Sequence, residues 1–92
     1  MDSICHIQIR VSGYVQGVNY RFSARRMAEE FHVNGFARNE SDGSVYLEAE
    51  GTLEQLDKFI AWCKIGPPRA SVDKVVVGNA DVEGFESFVI IR

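Results

Sequence analysis

The stretch Gly13-Tyr14-Val15-Gln16-Gly17-Val18-Asn19-Tyr20-Arg21 joins an alternating segment to an amphipathic one and sets an arginine at the start of a helix. A helix N-terminus carries a partial positive charge of about half an elementary charge. Acidic side chains are the usual choice in that first turn, so an arginine there is unfavourable unless an anion sits beside it. The two glycines let the backbone turn tightly, which allows several N–H groups to point at one spot. Converging N–H groups, a helix terminus and a guanidinium together describe an oxyanion site, above all one for phosphate. The plain alternative is a strand–helix turn with a surface arginine, since short glycine-bounded loops are common. Nucleotide-binding patterns do not fit. No lysine follows Gly17 as a Walker A loop requires, and the Gly-x-Gly of a dinucleotide fingerprint is absent.

The elements that must position this loop follow from periodicity. Before it, Cys5, Ile7, Ile9 and Val11 alternate with His6, Gln8 and Arg10. This predicts a strand with one buried and one wet face, with His6 as a surface histidine. After it, Tyr20, Ala24, Met27, Ala28 and Phe31 recur at helical spacing, predicting a helix over 20–34 with Met27 and Phe31 in the core. Asn34-Gly35 is the expected stop, because both residues tolerate the left-handed conformation. Asp42-Gly43 then marks a turn between two extended runs, hence a β-hairpin. Thr52 and Gln55 form a capping box that opens a second helix, whose inward stripe is Leu53, Leu56, Phe59, Ile60 and Cys63. Gly66-Pro67-Pro68 ends it, since proline cannot continue a helix. Val72 to Val77 and Phe85 to Arg92 supply two further extended segments. The order β-α-β-β-α-β plus a short C-terminal strand predicts an α+β fold. It is a ferredoxin-like α/β sandwich, with two helices on one face of an antiparallel sheet. That fold alone assigns no function.

Two further motifs accompany the loop: Gly35-Phe36-Ala37-Arg38-Asn39-x-x-Asp42-Gly43-Ser44-Val45 in the hairpin and Gly66-Pro67-Pro68-x-Ala70 after the second helix. Together with Gly13-x-Val15-Gln16-Gly17-Val18-x-Tyr20-Arg21, the chain resembles the acylphosphatases over nearly its whole length. The resemblance implies hydrolysis of a carboxyl phosphate to a carboxylate and inorganic phosphate; no cofactor is expected, and with His6 and His32 isolated from one another no metal is expected either. It also implies that Arg21 and the backbone N–H groups of Val15, Gln16, Gly17, Val18, Asn19 and Tyr20 bind the phosphoryl group, while Asn39 positions the attacking water. Such a division suits the chemistry. A carboxylate leaves readily, so charge stabilisation and water orientation matter more than acid catalysis. On position alone, Asn39 also reads as a strand-end residue that shapes the following turn. Two departures from the family pattern stand out. Tyr20 replaces a more frequent phenylalanine, and the chain ends Phe88-Val89-Ile90-Ile91-Arg92, with isoleucine at a usual arginine position and no final tyrosine.

Composition bounds the remaining options. Ninety-two residues make one domain. With 46% apolar and 25% charged residues the chain reads as an ordinary soluble globule. A net charge of −3 argues against non-specific nucleic-acid binding, which needs a basic surface. Arg21, Arg25 and Arg26 form the one local basic cluster, and Arg25 and Arg26 also read simply as a solvated helix face. The N-terminus has neither the basic nor the apolar region of a signal peptide, and no apolar run approaches the roughly 20 residues that span a bilayer. The expected compartment is the cytoplasm, with a small-molecule acyl phosphate and phosphate as partners and a monomer as the working form. Cys5 and Cys63 lack metal-ligand spacing. They read as core-facing free thiols. Two rival functions belong to other classes. One is a non-catalytic module that holds phosphate or carbamoyl phosphate inside a larger machine. The other is an RNA-recognition domain on a similar fold, disfavoured because His6, Gln8 and Arg10 offer no aromatic stacking platform on the first strand.

Overall fold

The computed structural model describes residues 3–92. The elements are β1 (Cys5–Tyr14), α1 (Tyr20–Glu30), β2 (Asn34–Asn39), β3 (Val45–Gly51), α2 (Leu53–Ile65), β4 (Ser71–Ala80) and β5 (Phe88–Ile91). They form one sheet in the order β4-β1-β3-β2-β5. The β4–β1, β1–β3 and β3–β2 pairs are antiparallel. β5 pairs parallel with β2, from Gly35↔Phe88 to Arg38↔Ile91. The sheet is therefore mixed at one edge, where the alternation in the sequence did not reveal strand direction.

The register explains the core. Ile7, Ile9 and Val11 stand opposite Ala49, Leu47 and Val45, and Ala37 stands opposite Leu47. These side chains share one face, and Ala24 and Ala28 of α1 pack with Leu56, Phe59 and Cys63 of α2 in the same buried cluster. Small alanines on α1 let the helix approach the sheet closely. Tyr20 adds a buried tie between the helices, its hydroxyl donating to the Cys63 carbonyl at 2.8 Å. Burial holds the Tyr20 hydroxyl well above the ordinary tyrosine range and pushes the Cys63 thiol up to about 12. Both cysteines are unpaired, Cys63 buried and Cys5 half-buried against the core.

Three expectations are corrected. α1 stops at Glu30 rather than running to 34, because His32 takes the left-handed conformation (φ 60°). The His32 and Val33 N–H groups then donate to the Glu29 and Ala28 carbonyls at 3.3 and 2.7 Å, closing a Schellman cap. Asn34-Gly35 consequently starts β2 instead of ending the helix. Leu53 is exposed, since it lies in the first turn of α2 beyond the sheet's reach. Met27 is only half-buried and lines a groove between the helices. The capping box of Thr52 and Gln55 is present on both sides.

A larger correction concerns His6. It does lie on the face of the sheet away from the helices, opposite Glu50, yet it is only 2% exposed. The segment 81–87 folds across that face. Glu50 accepts hydrogen bonds from the Glu83, Gly84 and Phe85 N–H groups at 2.6, 3.1 and 2.8 Å, and the Phe85 ring packs against the imidazole with centroids 5.4 Å apart. His6 sits between two carboxylates, Nδ1 to Glu50 and Nε2 to Glu48, each at 2.7 Å. Both ring nitrogens face acceptors, which calls for the doubly protonated ring. Burial disfavours that charge, but the hydrogen bonds to Glu50 and Glu48 outweigh it and hold the His6 pKa above its usual value. Burial likewise works against the Glu50 carboxylate, and His6 with the three backbone donors overcomes it, so Glu50 titrates below the usual range.

Candidate active site

The glycine-bounded loop begins with a bulge. The β1–β4 register shifts between Ser12 and Gly13, and Gly13 has φ 127°. A Cβ there would collide with the Ser71 carbonyl, so only glycine lets β4 pass this close. The chain then alternates anchors and exposed peptide units. Val15 and Val18 are buried, while Gly17 and Asn19 are exposed. Both exposed residues are left-handed, at φ 75° and 69°. Asparagine is among the few non-glycine residues that adopt this conformation readily. Left-handed residues between extended or helical ones turn successive N–H groups toward a common concavity, a backbone anion nest.

Asn19 is the residue before the first turn of α1, and its side chain caps nothing. The Ser23 N–H closes the first helical bond on the Asn19 carbonyl at 3.1 Å. The N–H groups of Tyr20, Arg21 and Phe22 precede that bond and have no acceptor within the helix. No acidic residue occupies the first turn, so the positive end of the helix is left for an outside anion.

Arg21 donates from Nη1 to the Ile91 carbonyl at 3.0 Å. The brace comes from the main chain of β5, so the isoleucine that departs from the family pattern at 91 still supplies it. Among the described residues, no ion pair joins Arg21 to a carboxylate. Asn39 ends β2. It shares the inward parity of Ala37 and stands opposite the buried Val45, yet it is exposed where it lines the cleft with the loop. Val15, Gly17, Asn19, Tyr20, Arg21, Phe22 and Asn39 line one cleft of about 180 Å³. Residues singled out in the sequence for an anion and for a water thus meet in one place. A groove of about 490 Å³ between the helices, lined by Arg26, Met27, Trp62 and Pro67 among others, includes neither the loop nor Asn39.

Gln16 acts in a way the sequence did not reveal. Its side-chain amide donates to the Glu40 and Ser44 carbonyls at 2.7 and 2.9 Å. It thereby fastens the loop to the β2–β3 turn, one residue beyond Asn39. The turn itself is held by the Glu40 N–H on the Ser44 carbonyl at 2.9 Å. Asp42 adds bonds from the Ser44 N–H and hydroxyl at 2.9 and 2.6 Å, which keep the Asp42 carboxyl below its ordinary range. One glutamine thus ties the loop directly to the turn that follows Asn39. The signal available in the sequence was its place between the glycines, which says nothing about where a side chain reaches.

On the opposite face of the sheet, His6, Glu48 and Glu83 bring together atoms of metal-ligand types. The geometry is already satisfied by the charged imidazole between Glu48 and Glu50, and the group lies behind the sheet from the cleft.

The sequence profile of the acylphosphatase family matches residues 7–90. The chain belongs to the acylphosphatase family. It is 45% identical over 84 residues to an acylphosphatase of Archaeoglobus fulgidus, covering 91% of this chain and 94% of that one. The structure of an acylphosphatase from Coxiella burnetii is similar with a TM-score of 0.92 at 36% identity, covering 96% of this chain and 93% of that one. Full-length HypF, in a phosphate- and nucleotide-bound form, also contains a similar region, with a TM-score of 0.92 and 29% identity. That likeness covers 100% of this chain and 12% of HypF. No helix in the described residues is long and apolar enough to cross a membrane.

Proposed function

We propose that this acylphosphatase-family protein hydrolyses small acyl phosphates by direct attack of water on phosphorus. The observation that supports this most is the cleft lined jointly by Arg21, the loop and Asn39. The phosphoryl oxygens would take the loop N–H groups, the free N–H groups at the start of α1 and the Arg21 guanidinium. These donors stand ready before charge develops, which is how preorganised sites lower phosphoryl-transfer barriers. The Asn39 side-chain amide is not basic. It holds the water by hydrogen bonds, in line with the bond to be broken. The water oxygen bonds to phosphorus, the bond from phosphorus to the acyl oxygen breaks, and the electron pair leaves with the carboxylate. One water proton passes to a phosphoryl oxygen, giving dihydrogen phosphate, and no covalent enzyme intermediate forms. The reaction is confined to one chain's residues, which suits a monomer, and two unpaired thiols suit a reducing cytoplasm.

Turnover of benzoyl and acetyl phosphate by the purified protein, followed by phosphate release, tests the reading. Hydrolysis by wild type that is lost in Arg21→Ala is the expected outcome. The likeness to a region of HypF favours one alternative, a phosphate-holding module without turnover. Phosphate binding with no hydrolysis of any acyl phosphate would select it.

A further inference from the structure

The cleft has an apolar wall that the phosphoryl chemistry does not use. Of its lining residues, Val15 and Tyr20 are buried behind the loop and Gly17 and Asn19 present backbone. Arg21 and Asn39 are committed to the phosphoryl group and to water. Phe22 remains, a large aromatic side chain in the first turn of α1, 44% exposed to solvent. Phe22 belongs neither to the buried core cluster nor to the residues packed against it. It is also held in place, because the Arg25 guanidinium carbon lies 5.5 Å from the ring centroid. A cation over an aromatic face is attractive and limits where the ring can turn. The loop N–H groups occupy one side of a bound phosphoryl group, so the acyl part must point outward, and Phe22 is the exposed apolar residue among those lining the cleft.

We propose that Phe22 forms the acyl subsite and makes this protein favour acyl phosphates with a flat or extended apolar body over those with a very small acyl group. This rests on the hydrolase reading above and names the part of the substrate that the catalytic groups leave unread. The contact is a ring against an aryl or alkyl surface, worth about a five-fold preference by the usual strength of aromatic pairs. Arg25 is a positioning residue, acting through the ring.

The test compares kcat/KM for benzoyl phosphate with that for acetyl phosphate in wild type, Phe22→Ala, Phe22→Leu and Arg25→Gln. The expected result is a benzoyl-to-acetyl ratio that falls about five-fold in Phe22→Ala. Phe22→Leu should recover part of the ratio, and Arg25→Gln should show a smaller fall. An unchanged ratio in Phe22→Ala overturns the proposal, even if both rates drop together. Calorimetry with benzylphosphonate and methylphosphonate supplies a readout that needs no turnover. If wild type hydrolyses neither acyl phosphate, the hydrolase reading fails. Loss of the benzylphosphonate preference in Phe22→Ala would then still support the subsite, and its persistence would exclude it.

Discussion

Arg21 and Ile91 are separated by 70 positions in the chain, yet the Arg21 Nη1 donates to the Ile91 carbonyl at 3.0 Å. A guanidinium has five N–H donors, and this bond engages one of its nitrogens. The others remain available to an anion in the cleft. The side chain is thus held before substrate arrives, which reduces the ordering cost of binding.

Replacing Arg21 with alanine should lower kcat/KM for benzoyl phosphate by roughly two to three orders of magnitude, the effect of losing about 3–4 kcal/mol of charged contact. Competitive inhibition by phosphate should weaken with it. Wild-type kinetics in this variant would remove the arginine from the mechanism.

Asn39→Ala should depress kcat severely and leave the phosphate inhibition constant close to its wild-type value. The amide is assigned to water, and the phosphoryl group to Arg21 and the loop. Steady-state kinetics with phosphate as inhibitor separates the two effects. Equal losses in turnover and in phosphate affinity would mean that Asn39 contacts the phosphoryl group.

Gln16→Ala removes two bonds to main-chain carbonyls. At about 1 kcal/mol each, the expected loss of stability is roughly 1–2 kcal/mol. Because the tie holds the loop against the turn that follows Asn39, kcat should fall about ten-fold or more, as misplacement of reacting groups commonly costs. Urea unfolding alongside kinetics checks both. A stability loss with unchanged kcat would make the tie purely structural.

The His6–Glu50 clip predicts a pH profile of stability. The folded-state pKa of His6 lies above its reference of 6.5. Its contribution is therefore complete below about pH 6.5 and fades as pH rises through the raised value. Glu50 titrates below its reference of 4.5. Its contribution is complete above about pH 4.5 and fades as pH falls through the lowered value. The clip should stabilise most between those limits. Urea midpoints measured across pH should show a plateau there, and His6→Gln should flatten the alkaline decline. An unaltered alkaline limb in that variant would assign the decline to other groups.

Turnover should persist after dialysis against EDTA. In the proposed mechanism Arg21 and the loop N–H groups supply the charge stabilisation, and the His6, Glu48 and Glu83 group lies away from the cleft. A rate that chelation abolishes and magnesium restores would require a different phosphotransfer mechanism.

Local patterns were legible where local physics decides the outcome. Alternation placed Ile7, Ile9 and Val11 inward, the capping box started α2 and Asp42-Gly43 marked the turn. Arg21 at a helix start stood out because it opposes the helix dipole. Two misses involve partners distant in sequence. His6 lies on the face that its parity predicts, but its burial depends on residues 83–85 reaching Glu50. The Gln16 side chain meets carbonyls 24 and 28 positions away. The end of α1 failed for a local reason: the left-handed residue was His32, a less usual choice than the Asn34-Gly35 pair that follows.

The parallel pairing of β5 with β2 has a consequence for the order in which the protein becomes competent. Synthesis runs from the N-terminus, and domains fold as units while chains emerge. The loop, α1 and the hairpin leave the ribosome well before residue 91. The loop itself leans on β4 through Gly13 and Tyr14, so its geometry also waits for residues made late in synthesis. Arg21 gains its carbonyl partner only when β5 docks beside β2, so this side chain is set when that edge of the sheet closes.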